Sequence, residues 1–162
     1  MNRTRKITYL ALTAAAAMVL SFVESQVPTF VAIPGIKVGL ANIAVIFALY
    51  RFGAREAICI SLVRIFTVAL LFGSVVTLAY STAGAILSFC VMLVLKRANI
   101  FSNIGVSVCG GVFHNIGQIV VACLLLRTNV IVYYLPFLIL SGTLAGIAVG
   151  VAAALIIKRV KT

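Results

Sequence analysis

His114, Asn115 and Gln118 are three strongly polar side chains placed within about one turn of an otherwise apolar stretch. The run reads Ser107-Val108-Cys109-Gly110-Gly111-Val112-Phe113-His114-Asn115-Ile116-Gly117-Gln118. An imidazole and two amides can each donate and accept hydrogen bonds. The spacing puts Ser107, Gly111, His114 and Gln118 on one helical stripe, with Asn115 beside it. Inside a hydrocarbon layer such groups face either a neighbouring helix or a cavity. The first reading makes them glue for a bundle; the second makes them a ligand site, and the crowding of three polar groups favours the second. Arg64 is the other residue of this kind. It sits in the middle of an apolar run, one turn after Ser61. A buried guanidinium needs a carboxylate, carbonyl oxygens or an anionic ligand. The chain has two carboxylates, Glu24 and Glu56, and no Asp. Weaker candidates for the same site are Lys37, Asn42, Tyr80 and Ser81; the last two belong to a semi-polar stripe with Gly84 and Ser88.

The same residues exclude several chemistries. Prenyl chain elongation needs Asp-rich motifs that hold magnesium and diphosphate, because hard cations want carboxylates. A chain with two separated Glu cannot be such a catalyst. No Gly-x-x-x-x-Gly-Lys-Ser/Thr loop exists, so any ATP must be used by a partner. Cys59, Cys90, Cys109 and Cys123 show no CxxC spacing and there is a single His, so no metal site is expected; the cysteines read as small apolar packing residues. No enzyme activity and no cofactor is expected. The basic residues form no dense patch, so nucleic acid is not expected either; membrane lipid is the partner they suit.

The elements that must position these groups are membrane helices. The sequence is 64% hydrophobic, and its charges fall in short gaps between long apolar runs. Spans are expected at about 7–23, 38–50, 57–72, 75–95, 104–126 and 133–157, with Gly73-Ser74 breaking the third from the fourth. The fold class is therefore an all-α integral membrane bundle of six helices in one domain over 1–162. The first apolar stretch follows Arg3, Arg5 and Lys6 like a signal peptide, but shows no clear cleavage site and reads as a retained helix. Alternate gaps hold Arg3, Arg5, Lys6, Arg51, Arg55, Lys96, Arg97, Lys158, Arg159 and Lys161 on one side, against Lys37 and Arg127 on the other. By the positive-inside rule both termini are cytoplasmic. Gly142, Gly146 and Gly150 in the last span read as close-packing positions, whereas Ala11 and Ala15 in the first serve either packing or docking to a second membrane protein. The outward loop 27–39 is apolar and punctuated by Pro28, Pro34, Gly35 and Gly39, which suits either a lid or a segment on the membrane surface.

Pro34-Gly35-Ile36-Lys37-Val38-Gly39-Leu40-Ala41-Asn42, then Tyr50, Gly53 and Ala57, Ser81-x-x-Gly84, and the Gly110 to Gln118 run resemble the small bacterial membrane proteins called the Gx transporter family. That family is also labelled heptaprenyl diphosphate synthase component I. More distantly the chain is similar to the substrate-binding S components of energy-coupling factor (ECF) vitamin transporters. That resemblance implies six helices, a ligand-covering loop matched by 27–37, and an Ala-x-x-x-Ala face, matched by Ala11 and Ala15, that docks to a transmembrane coupling subunit driven by an ATPase pair. The expected function is thus a substrate-binding subunit in the bacterial cytoplasmic membrane. Its substrate-binding residues would be Lys37, Asn42, Arg64, Tyr80, Ser81, His114, Asn115 and Gln118, and the cationic bias points to an anionic or isoprenoid-like molecule. The alternatives are a non-catalytic membrane accessory of a prenyl diphosphate synthase, and a purely structural protein.

Overall fold

The computed structural model describes residues 2–26 and 39–159. The expected lid 27–37, with Lys37, lies outside the described residues. The elements are α1 (Arg3–Gln26), α2 (Asn42–Arg51), α3 (Ala54–Phe72), α4 (Val75–Ala98), α5 (Asn103–Leu126), a 3-10 turn (Val130–Tyr134) and α6 (Leu135–Arg159). Among the described residues there is no strand. Each expected span falls on one helix, and the Gly73-Ser74 break separates α3 from α4.

Local chemistry sets the boundaries. The Ser74 hydroxyl accepts the Thr77 amide at 3.2 Å, and the Ser102 hydroxyl accepts the Gly105 amide at 3.3 Å, capping α4 and α5. Gly53 turns the chain from α2 into α3 at φ +118°, a conformation that favours glycine. Pro136 sits in the first turn of α6, where a missing N–H loses no helical bond. Arg51, Lys96, Arg97, Lys158 and Arg159 occupy last turns, where cations complement the helix dipole.

Helices α1, α4, α5 and the combined Val130–Arg159 segment are long and apolar enough to cross a membrane. At about 1.5 Å per residue α1 reaches about 36 Å, beyond the roughly 30 Å of a hydrocarbon core. Helix α2 has only 10 residues, about 15 Å by the same rise. It is instead the hub of the bundle. Ala44, Val45, Ile46, Phe47, Ala48 and Leu49 are all buried, so most of its surface is covered. Helices α1, α3 and α6 pack around it.

Successive helices run up and down. The α1 end meets the α2 start through a hydrogen bond from the Gly39 amide to Glu24. The α1 start meets the α3 start through the Lys6–Glu56 ion pair. At the same end the Lys96 ammonium, from the end of α4, donates to the Leu49 carbonyl oxygen near the end of α2 and lies 4.9 Å from the Tyr50 ring centre. Ile156, near the end of α6, shares a groove with Tyr9. Among the described residues, one end of the bundle therefore carries the start of α1, the end of α6 and most of the basic residues. The other end carries Glu24 and Gly39.

The most extensive helix contacts are α5 with α6 and α5 with α4. Glycines make them possible. A methyl group on Gly111 would come within 2.5 Å of the Gly142 carbonyl oxygen, and one on Gly146 within 2.6 Å of the Val108 Cα. On the α4 side, a methyl on Gly117 would meet the Ala83 carbonyl oxygen at 2.8 Å. Gly142, Gly146 and Gly150 thus act as the close-packing series that their spacing predicts. Helix α1 buries Thr13, Ala17, Ser21 and Glu24, and leaves Ala11 and Ala15 exposed. The cysteines correct an expectation in part. Cys59 and Cys90 are exposed rather than packed inside, whereas Cys109 and Cys123 are half-buried and Cys123 packs against an apolar core cluster as expected.

Candidate functional site

The α5 stripe is buried as a whole. Ser107, His114, Asn115 and Gln118 are each at most 5% exposed. Its members nevertheless do different things, because α5 is wedged between α4 and α6. At about 100° per residue, Gly110 and Gly117 lie on the flank towards α4, and Gly111 and Asn115 on the flank towards α6. The Ser107 hydroxyl donates to the Gly146 carbonyl oxygen at 2.7 Å, and the Asn115 amide donates to the Leu138 carbonyl oxygen at 2.8 Å. Both bonds tie α5 to α6. His114 and Gln118 turn towards Gly84 of α4. A methyl there would meet the His114 carbonyl oxygen at 2.8 Å, the His114 Cε1 at 3.0 Å and the Gln118 Cγ at 3.0 Å. Gln118 is wholly buried, and neither atom of its amide group meets a partner among the described residues.

Of this stripe, His114 lines a polar cavity. The cavity lies towards the Glu24 end of the bundle and has a volume of about 20 Å³, room for about one water molecule. Ser21 and Glu24 come from α1, Arg64 from α3, Thr77 and Ser81 from α4, and His114 from α5; Gly39 closes it at the entry to α2. Arg64 is 7% exposed and Glu24 5%. The two charges act on each other across the cavity, although Glu24 accepts the Gly39 amide rather than forming a close ion pair with Arg64. The Arg64 Nε meets no hydrogen-bond partner among the described residues. Glu56 is at the far end with Lys6. Of the partners open to Arg64 from sequence, the carboxylate beside it is Glu24.

The sequence-derived candidates therefore separate into groups. Arg64, Ser81 and His114 come together around the cavity. Asn42 borders a second, smaller void of about 10 Å³ with Ser107, Gly111 and Gly146, and Gly39 touches both voids. Tyr80 is packed in an apolar cluster with Ile119, Ala122, Ile131 and Leu138. Asn115 is held by α6 and Gln118 lies between α4 and α5. Ser21 and Thr77 line the cavity without having been singled out. Ser21 was legible, since Thr13, Ala17, Ser21 and Glu24 repeat at helical spacing on the buried face of α1.

Chemically the cavity offers a guanidinium, a carboxylate, an imidazole and three hydroxyls in a low-dielectric setting. Such a set orients a small polar molecule through several hydrogen bonds. It contains no pair of carboxylates that could share a metal-bound diphosphate.

Comparison with known proteins places the chain in a family. The family described as heptaprenyl diphosphate synthase component I matches residues 12–156, a range that includes every residue of the cavity. No curated protein and no solved structure matches the chain.

Proposed function

The chain belongs to the heptaprenyl diphosphate synthase component I family, and on that premise we propose that it is a membrane-embedded binding subunit with no catalytic centre of its own. It captures a small polar molecule between Arg64, Glu24 and His114 and works through partner subunits, in the manner of an ECF S component. The observation that carries this reading is the Arg64 guanidinium, buried within an apolar bundle beside a cavity, with its Nε unpartnered among the described residues. Burying an ion is costly unless function retains it. The cavity has room for about one water, so a larger ligand needs it to widen, and we place that opening at the Gly39 end. Lys37 and the segment 27–37 are proposed to complete the site from that side. Asn42, Tyr80, Asn115 and Gln118 support the lining helices rather than touch the ligand.

Six crossings, with both termini on the cytoplasmic face of a bacterial inner membrane, fit the concentration of basic residues at one end of the bundle. The exposed Ala11 and Ala15 on α1 would meet a transmembrane coupling subunit, itself joined to an ATPase pair.

The family description favours a second reading, in which the catalytic partner is a prenyl diphosphate synthase and this chain its membrane accessory. One experiment separates the two. The tagged protein is purified in gentle detergent, and co-purifying proteins and small molecules are identified by mass spectrometry. A coupling subunit, an ATPase pair and a bound small molecule support the importer. A soluble synthase alone supports the accessory. A small molecule retained equally by Arg64→Gln and His114→Ala would overturn the assignment of the cavity.

A further inference from the structure

Helix α2 is too short to fill the bundle along its length, and α1 and α6 are not among the helix pairs with extensive contact. A slot of about 250 Å³ remains between them. Its walls are Tyr9, Thr13 and Ala16 of α1 and Ile156 of α6, and its floor is Ile43 and Phe47 of α2. The lining is almost wholly apolar, but its mouth is not. The Arg5 guanidinium lies 5.8 Å from the Tyr9 ring centre, and Lys158 and Arg159 follow Ile156 within one turn. All three cations are exposed, and no acidic residue occurs in the first turn of α1 or anywhere in α6. The slot therefore joins an apolar trough to the basic end of the bundle, where Arg5 lies beside Tyr9 at the start of α1 and Lys158 and Arg159 close α6 just beyond Ile156.

We propose that this slot is a binding site for an anionic glycerophospholipid, with one acyl chain lying on α2 between α1 and α6 and the phosphate head at Arg5, Lys158 and Arg159. The apolar trough supplies affinity for the chain. The cations supply preference for a negative head, since each basic residue near an anionic lipid surface favours it appreciably. The seated chain would complete the packing of α1 where protein does not. The slot shares no lining residue with the Arg64 cavity, and its basic mouth lies at the opposite end of α1 from Glu24, so it does not depend on what occupies that cavity.

The test is native mass spectrometry of the full chain, delipidated and then exchanged with phosphatidylglycerol or phosphatidylcholine of matched chains. One phosphatidylglycerol should be retained in preference to phosphatidylcholine by about tenfold or more. The triple change Arg5→Gln, Lys158→Gln, Arg159→Gln should remove that preference, while Arg97→Gln, which changes a cation away from the slot, should keep it. Ala16→Leu should lower retention of both lipids alike by occluding the trough. Equal retention of the two lipids by the unaltered protein would overturn the proposal, as would a preference that survives the triple change. Displacement of phosphatidylglycerol by an equal concentration of heptaprenyl diphosphate would also overturn it and assign the slot to a prenyl chain.

Discussion

The two sides of this bundle treat polar side chains in opposite ways. On the α5–α6 side, Ser107 and Asn115 aim at carbonyl oxygens of the facing helix, and glycines bring the backbones together around them. Both of these bonds are between helices, and the associated void is about 10 Å³. On the α1–α3–α4 side, Arg64, Glu24 and His114 come from three helices and converge on a space rather than on each other's backbones. Both arrangements obey the same rule, that a polar group in an apolar layer needs a partner. The difference shows that the Ser107 hydroxyl and the Asn115 amide N–H find their partners on the facing helix, whereas the Arg64 and Glu24 charges are set around a polar enclosure. It divides the candidate residues into a joint and a site.

The sharpest way to break the joint is at its closest approach. Gly111→Leu would drive a side chain into the Gly142 carbonyl oxygen, a backbone group that cannot rotate away. The expected loss is about 3 kcal/mol or more, read as loss of the folded monomer in detergent during thermal unfolding. Gly105→Ala, whose added methyl meets only the Phe101 side chain at 3.2 Å, should unfold within about 0.5 kcal/mol of the parent. If the two variants behave alike, close glycine packing does not hold this side together.

The site breaks differently. Arg64→Leu removes one buried charge and strands Glu24 beside an apolar group. Uncompensated buried charges cost about 3–5 kcal/mol, and the Gly39 amide that Glu24 retains should bring this to about 2 kcal/mol. Adding Glu24→Gln should recover about half or more of that loss. A double-mutant cycle without coupling would mean that the two charges do not share an environment. Neither variant should retain the ligand found with the unaltered protein.

Much of this division was hidden in the sequence for physical reasons. The helices were legible because long apolar runs are bounded by Ser74, Ser102, Gly53 and clusters of basic residues. Burial of the α5 stripe was legible from its spacing. What each member faces was not, because a stripe fixes an angle on its own helix and says nothing about the angle of the neighbours. His114 and Asn115 are adjacent in sequence, yet one faces the cavity and the other α6. Tyr80 and Ser81 divide in the same manner, one into an apolar cluster and the other onto the cavity. Arg64 announced a site by its charge alone, but its choice between Glu24 and Glu56 depended on which helix ends meet. The burial of α2 was also unreadable, since a short apolar run looks the same at the centre of a bundle as at its surface.

Two smaller changes sharpen the boundary between joint and site. Asn115→Ala removes the bond to the Leu138 carbonyl oxygen. Interhelical bonds of this kind contribute about 0.6 kcal/mol on average, so a loss of about 1 kcal/mol is expected once packing is included. Ligand retention should stay at the parental level if Asn115 belongs to the joint. A variant of unchanged stability that loses the ligand would move Asn115 into the site.

The smallest effect lies outside both regions, at the Lys6–Glu56 pair between the starts of α1 and α3. The hydrogen bond from Lys6, helped by a backbone amide and by the Lys6 charge, holds the Glu56 carboxyl below its ordinary range. A carboxyl depressed in the folded state adds stability that is present above its unfolded value, near 4.3, and is lost as pH falls through the folded value. The Lys6 side chain is 40% exposed, so solvent screens the pair and the gain is a few tenths of a kcal/mol. Unfolding midpoints of the parent and Lys6→Gln should therefore differ slightly at pH 7 and converge below about pH 4. Because the pair lies at the end remote from Glu24, ligand retention should not follow that change. If retention does fall with Lys6→Gln at pH 7, the two ends of the bundle are coupled through α1 and α3, and the separation of joint from site gives way to a single cooperative unit.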